Sequence, residues 1–111
     1  MSHSDRASPR SVAGLLYRIR KQHRDWFKPL YASLPIAGHD GTLEDRMRHG
    51  AAHNHCHAKT GTLTGVSALS GFCKTRGGRV VVFSILMNGV DVDGARRIQD
   101  EMAQTIARWR G

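Results

Sequence analysis

The sequence predicts an α+β fold in which a three-stranded portion of an antiparallel sheet is flanked by an N-terminal and a C-terminal helix. Three observations predict it. Apolar residues recur at helical spacing near both ends of the chain, two strand-like segments in the middle are separated by only two residues, and a short apolar run follows a Gly-Gly pair. A chain of 111 residues has room for a single small domain.

The N-terminal helix is predicted over residues 8–22. Ser8 is a suitable cap and Pro9 suits the first helical position. Four apolar residues then follow at i, i+3, i+4 and i+7, namely Val12, Leu15, Leu16 and Ile19. Helical spacing continues to Leu34, where Pro35 ends it. Residues 35–55 are expected to form an irregular connector, because glycines and aspartates interrupt the chain there.

A β-hairpin is predicted over residues 56–74, with Thr64-Gly65 as its two-residue turn. This turn pairs Leu63 with Val66 and places Cys56 opposite Cys73, at a non-hydrogen-bonded position where Cα atoms lie close. That spacing is compatible with a disulfide. The alternative is a pair of small apolar residues that stay reduced in a cytoplasmic chain.

The third strand is predicted over residues 79–88, after the turn at Gly77-Gly78. Its residues are apolar on both faces, so we expect both sides of the sheet to be covered there. The C-terminal helix is predicted over residues 93–109, with Asp91 or Asp93 as its cap.

The net charge of +8 favours anionic partners, although no recognition motif accompanies it. We therefore expect no specific nucleic-acid binding, and a basic binding module for an anionic polymer remains an alternative function. No segment is long enough to cross a membrane, and the apolar run at 12–17 is too short for a signal peptide. A chain made as written would accordingly stay in the cytoplasm.

Histidines alternate at the start of the hairpin, at His53, His55 and His57. On an extended strand they would share one face, where two imidazoles can chelate Zn²⁺ or Cu²⁺. A closed zinc site requires four ligands, and the paired Cys-x-x-Cys pattern is absent. A solvated loop is the favoured interpretation, a metal-binding hairpin is the alternative, and no cofactor is expected.

The segment Lys59-Thr60-Gly61-Thr62 carries the clearest chemistry in the chain. On a strand it offers a cation and a hydroxyl to a carboxylate, beside a glycine that lets another backbone approach. The N–H of Thr62 is a possible donor to an oxyanion. A Lys-Thr-Gly triplet alone is weak evidence, because such tripeptides occur by chance.

The surrounding sequence strengthens the evidence that this motif is functional. The blocks LPIAGHDGTLEDRM, AKTGTLTGVSALSGF and GRVVVFSILMNG resemble, in order and spacing, the C-terminal part of serine penicillin-binding proteins. The resemblance is to the D-alanyl-D-alanine carboxypeptidase and endopeptidase branch, of the penicillin-binding protein 4 type, and it spans roughly residues 8–109. It implies the C-terminal part of a transpeptidase-like domain.

The resemblance also implies a reaction and a set of partners. A serine attacks the bond between two D-alanines of a peptidoglycan stem peptide, water releases the acyl-enzyme, and β-lactams acylate the same serine. Lys59 would fix the substrate carboxylate and assist the proton relay, and Thr60 would hydrogen-bond that carboxylate. Gly61 would provide clearance, and the Thr62 N–H would form half of the oxyanion hole. The parent family works outside the cytoplasmic membrane, without a cofactor.

The family mechanism needs S-x-x-K for the nucleophile and an S-x-N element. No serine of this chain has Lys three residues later or Asn two residues later. We therefore expect residues 1–111 to form a single incomplete domain that is inactive alone. Such a fragment would self-associate or need the missing N-terminal half.

Overall fold

The computed structural model describes residues 8–63, 66–88 and 91–110. Two N-terminal helices precede an irregular connector, a three-stranded antiparallel sheet of order β1-β2-β3 and a C-terminal helix. The elements are α1 (Pro9–Gln22), α2 (Arg24–Ser33), a short 3-10 helix (Gly41–Leu43), β1 (Cys56–Leu63), β2 (Val66–Lys74), β3 (Val80–Asn88) and α3 (Val92–Arg108). The predicted α+β class is confirmed.

Both main helices begin at side-chain caps. The N–H of Ser11 donates to Ser8 Oγ at 3.0 Å, and the N–H of Ser8 donates to Ser11 Oγ at 2.9 Å. These reciprocal bonds satisfy donors that the first turn of a helix leaves unpaired. At α3 the N–H of Gly94 donates to Asp91 Oδ1 at 2.7 Å, so Asp91 is the cap and Asp93 lies in the first turn.

The helical segment that the sequence extends to Leu34 is divided at His23. This residue has φ −128° and ψ 64°, outside the helical region, and its ring stacks on Trp26 with centroids 3.8 Å apart. The second helix packs on the sheet through aromatic rings. Phe27 meets Phe72 of β2 edge to face, with centroids 5.1 Å apart.

The register of β1 and β2 is the predicted one, with Leu63 opposite Val66 and Cys56 opposite Cys73. A disulfide joins the two cysteines, whose Cα atoms are 4.0 Å apart. The predicted turn at Thr64-Gly65 lies outside the described residues.

Hydrogen bonds show which way the backbone groups of β1 point. The N–H of Lys74 donates to the carbonyl of His55 at 2.9 Å, so the backbone groups of odd-numbered residues in this segment form the hydrogen bonds to β2. Because directions alternate along an antiparallel strand, the backbone groups of Ala58, Thr60 and Thr62 point to the outer edge of the sheet.

The main core lies between the sheet and α3. Buried residues from all three strands cluster there with Ala103 and Ala107 of α3. The opposite face of the sheet lies under α1 and α2, where Phe72 is fully buried. At the far end of β3, Leu86 is 40% exposed in this chain.

The connector supplies part of the core, which sequence patterns did not predict. Its buried residues are Ala37, Leu43, Met47, Ala51 and Ala52. Arg46 binds Asp100 of α3 at 2.7 Å, which ties the connector to the last helix. None of the helices within the described ranges combines the length and apolar character required to cross a membrane.

Candidate active site

The KTGT segment lies on β1, an outer strand of the sheet. The beginning of its outer edge is occupied by the connector: the N–H of Ala37 donates to the Cys56 carbonyl at 2.8 Å, and the N–H of Ala58 donates to the Pro35 carbonyl at 2.9 Å. Within the described residues this pairing does not extend past Ala58. The outward backbone groups of Thr60 and Thr62 therefore lie beyond the covered part of the edge.

Lys59 and Thr60 are held by local hydrogen bonds. The Lys59 side chain is exposed, and its Nζ donates to the carbonyl of Thr60. Thr60 is half-buried, and its hydroxyl donates to Thr42 Oγ1 at 3.1 Å. Sequence reasoning did not identify Thr42 as a neighbour of the motif, because 18 residues separate it from Thr60. The structure describes Thr62 by its backbone position only.

Among the described residues, packing does not require a glycine at position 61. A Cβ added there would contact Ala68 Cβ at an ordinary distance of 3.8 Å. A side chain at this position would instead extend into the cavity beside β1.

That cavity has a volume of about 490 Å³ and lies between the β1–β2 hairpin and the two N-terminal helices. Lys59 is the charged residue among its lining side chains, which are otherwise small or apolar. The lining residues are Val12, Leu16, Leu30, Leu34, Lys59, Thr60, Gly61, Ala68, Ser70 and Gly71. One cation beside an apolar wall suits a ligand that carries a single carboxylate next to an apolar group.

Ser70 is opposite Lys59 in the register and also lines this cavity. Its hydroxyl shares a 2.8 Å hydrogen bond with Ser84 of β3. Lys59, Ser70 and Ser84 therefore form a polar row across the three strands. The contact between the positions of Lys59 and Ser70 could have been predicted from the sequence, since pairing Leu63 with Val66 also places Lys59 opposite Ser70.

His57 anchors β1 to α2 near the motif. Its Nδ1 donates to the carbonyl of Tyr31 at 3.0 Å, and the two rings stack with centroids 3.7 Å apart. Burial raises the pKa of the Tyr31 phenol above its ordinary value, while the nearby Arg20 charge opposes this shift. Tyr31 therefore stays neutral at physiological pH and serves as a packing surface.

The three histidines do not share one face of a strand. His53 and His55 lie in the turn that precedes β1, and only His57 lies on the strand. The chain needs this turn to enter β1 from the connector, and Asn54 adopts a φ of 63° within it. His53 Nδ1 donates to the Met47 carbonyl at 3.3 Å. Over residues 8–63, 66–88 and 91–110, no three His, Cys, Asp or Glu side chains form a group able to hold a metal.

Comparison with known proteins places this geometry in a family. The sequence profile of the D-Ala-D-Ala carboxypeptidase 3 (S13) family matches residues 1–109. The D-alanyl-D-alanine carboxypeptidase of Actinomadura sp. (strain R39) is 42% identical over 91 residues, which are 78% of this chain and 17% of that protein. Carboxypeptidase DacB of Mycolicibacterium smegmatis is 41% identical over 83 residues, which are 71% of this chain and 18% of that protein.

Solved structures agree. Penicillin binding protein 4 of Haemophilus influenzae, complexed with a β-lactam, superimposes with a TM-score of 0.78 at 27% identity. The match covers 98% of this chain and 27% of that one. This chain thus spans about a sixth to just over a quarter of the length of the relatives it matches. On the sequence match and the shared fold, the chain belongs to the D-Ala-D-Ala carboxypeptidase 3 (S13) family.

Proposed function

We propose that the outer edge of β1 is one wall of the active site of a serine-type D-Ala-D-Ala carboxypeptidase or endopeptidase that acts on peptidoglycan stem peptides. The observation that carries the proposal is the position of the KTGT segment. It occupies the part of an outer strand that the connector leaves uncovered, next to a cavity whose charged lining residue is Lys59. Family membership supports the same function.

Each residue of the motif has a role in this proposal. The exposed Lys59 ammonium pairs with the terminal carboxylate of the peptide, and the Thr60 hydroxyl exchanges its bond with Thr42 for one to the same carboxylate. The outward N–H of Thr62 donates to the oxyanion that develops on the scissile carbonyl. Gly61 leaves the approach to the strand free of a side chain.

The attacking serine is not supplied by these 111 residues. None of their serines stands in S-x-x-K or S-x-N. Ser70 is engaged with Ser84 rather than with a base. Residues that orient a substrate leave only a small fraction of catalysis once the nucleophile is removed. We therefore propose that residues 1–111 are a single incomplete domain and that this chain alone neither hydrolyses D-Ala-D-Ala nor is acylated by β-lactams.

Labelling with a fluorescent penicillin tests the missing nucleophile. We expect no labelled band at 12.3 kDa, while a complete family member in the same gel is labelled. A covalent label on this chain that survives denaturation would show that it carries its own nucleophile.

Binding of N-acetyl-D-Ala-D-Ala, followed by amide NMR, tests the docking role of β1 separately from catalysis. We expect chemical-shift changes centred on the amides of Thr60 and Gly61. The affinity for the peptide should fall by about tenfold or more in Lys59→Ala, since a charge-assisted bond contributes about 1.5–3 kcal/mol. Lys74→Ala is the matched control, because Lys74 is an exposed lysine of the neighbouring strand that does not line the cavity. The proposed binding of the carboxylate by Lys59 would be rejected if both substitutions lowered the affinity equally. It would also be rejected if the peptide amide bound as tightly as the peptide acid.

The disulfide supports a site of action outside the cytoplasmic membrane for the complete protein. Disulfides persist in oxidising compartments and are rare in the cytosol, and Cys56–Cys73 closes the base of the hairpin that carries the motif. Alone, this chain self-associates or requires the remaining part of the enzyme to cover its exposed apolar side chains.

A further inference from the structure

Thr42 links the connector to the KTGT motif through a hydrogen bond between two hydroxyl groups. The Thr60 hydroxyl donates to Thr42 Oγ1 at 3.1 Å. Among the described residues, the connector pairs with the outer edge of β1 as far as Ala58, and Thr60 is the next residue whose backbone groups point outward. Thr42 is therefore the connector residue that contacts the first uncovered position of the proposed substrate wall.

The backbone on both sides of Thr42 is held in place. Leu43, which follows it, is fully buried, and the Leu43 carbonyl accepts from the N–H of Gly38 at 2.9 Å. Gly41, which precedes it, has a φ of 57°, and a Cβ added there would lie 3.1 Å from Pro35 Cβ. The side chain of Thr42 is itself exposed, so its hydroxyl is presented at the surface from a fixed backbone position.

The direction of the Thr60 hydroxyl matters for the proposed site. Side chains alternate along a strand, so Lys59 and Thr60 project to opposite faces of the sheet. One carboxylate at the outer edge can meet both residues only if the Thr60 hydroxyl is turned toward that edge. Because the connector runs along this edge, the hydrogen bond to Thr42 turns the hydroxyl that way. It thereby selects one of the staggered rotamers of Thr60.

We infer that Thr42 is a positioning residue for carboxylate binding, an inference that rests on the proposed function. In the free chain Thr42 accepts from Thr60 and holds its rotamer. When the peptide binds, the Thr60 proton turns to the terminal carboxylate, and the Thr42 hydroxyl rotates to donate to Thr60 Oγ1. A hydroxyl donates one hydrogen bond and accepts two, so Thr60 can do both at once. Both O–H bonds stay intact, and hydrogen bonds in series polarise and strengthen one another.

The first test needs no ligand. Three-bond NMR couplings to the Thr60 methyl carbon report the populations of its χ1 rotamers. We expect one dominant rotamer in the parent chain and in Thr42→Ser, and rotamer averaging in Thr42→Val, which replaces the hydroxyl by a methyl group. Thr105→Val is the matched control, because Thr105 is an exposed threonine of α3 whose hydroxyl donates to the Glu101 carbonyl at 2.9 Å. The inference is overturned if Thr42→Val causes no averaging, or no more than the control.

The second test compares N-acetyl-D-Ala-D-Ala with its C-terminal amide, by amide NMR. Thr42→Val should lower the affinity for the acid about threefold to tenfold, as expected for one hydrogen bond, and that for the amide by less than about twofold. Thr42→Ser should restore the affinity for the acid, and Thr105→Val should leave it unchanged. In a Thr60→Val background, Thr42→Val should lower the affinity by less than about twofold, because Thr42 acts through Thr60.

A merely structural role of Thr42 would give a different result. Equal weakening of acid and amide, no rescue by serine, or a full additional loss in the double variant would each overturn the inference. Equal affinity of the parent chain and Thr42→Val for the acid would overturn it while leaving the proposed function intact. If instead the parent chain does not bind the acid, the proposed function fails, and the couplings of Thr60 still decide whether Thr42 positions its side chain.

Discussion

At the scale of single residues, Gly71 allows β1 and β2 to approach closely. A Cβ added at Gly71 would lie 2.1 Å from the His57 carbonyl oxygen and 2.6 Å from Ala58 Cα. Both atoms belong to the backbone of the strand that carries KTGT, so they cannot move aside without displacing the motif. The glycine thus preserves the alignment of β1, whereas Gly61 in the motif meets no such restriction.

Gly71→Ala should therefore lower the free energy of unfolding by about 1–3 kcal/mol, the usual cost of overpacking. Gly14→Ala is the control, because Gly14 lies within α1 and an added Cβ there meets no described residue within 4 Å. That substitution should raise stability by about 0.5–1 kcal/mol through helix propensity. Urea denaturation distinguishes the two, and equal effects of the same sign would contradict the packing argument.

The disulfide is a second residue-scale feature with a measurable contribution. Cys56 and Cys73 are fully buried and are separated by 17 residues in sequence. Reduction, or the double substitution Cys56→Ala with Cys73→Ala, should lower stability by about 2–4 kcal/mol. Alkylation followed by mass spectrometry should detect thiols only after reduction. Free thiols in the native, air-exposed protein would contradict this assignment.

At the scale of elements, the connector is held to α3 by polar contacts from both sides. Gln104 Oε1 accepts from the buried N–H of Ala52 at 2.8 Å, and Gln104 Nε2 donates to the His49 carbonyl at 2.6 Å. Arg46 donates from its Nε and one Nη to Asp100 Oδ1 at 3.0 and 2.7 Å. The last helix thereby fixes the segment that covers the beginning of β1.

Gln104→Ala should cost about 1–3 kcal/mol, because it leaves the buried Ala52 N–H without an acceptor. Glu101→Ala serves as the comparison, since Glu101 is exposed on the same helix and should change stability by less than about 0.5 kcal/mol. Thermal melts of both variants provide the measurement. Equal stabilities would show that the connector does not depend on α3.

At the scale of the whole molecule, apolar side chains remain exposed on α3 and β3. Ile98 and Met102 are each 44% exposed at helical spacing, and Leu86 is 40% exposed on the sheet. Apolar surface that stays in contact with water lacks the stabilisation of roughly 25 cal/mol per Å² that burial would provide. Exposed patches of this kind are typical of surfaces that meet another protein segment.

We therefore expect the isolated chain to self-associate at micromolar concentrations, with Ile98→Glu and Met102→Glu shifting sedimentation toward the monomer. Arg97→Glu, a substitution at an exposed position on another side of the same helix, controls for added negative charge. A monomer with a sharp, cooperative melt would contradict the expectation.

Much of the architecture follows from the sequence by itself. A cap at Ser8, another at Asp91 or Asp93, helical spacing and a two-residue connection between strands are local signals, so they predict the N- and C-terminal helices, the hairpin and its register. From that register come the pairing of Cys56 with Cys73 and the position of KTGT on a strand. The sequence blocks that resemble the family indicate the chemistry, which a Lys-Thr-Gly triplet alone does not establish.

Tertiary structure alone decided which backbone groups stay uncovered and which side chains meet. Closure of the start of β1 by Pro35 and Ala37 and the contact of Thr42 with Thr60 join segments far apart in the chain. Turn geometry likewise separated the histidines that alternation had aligned. Periodicity records the face of one element, whereas these features depend on how several elements pack, and no local pattern encodes that.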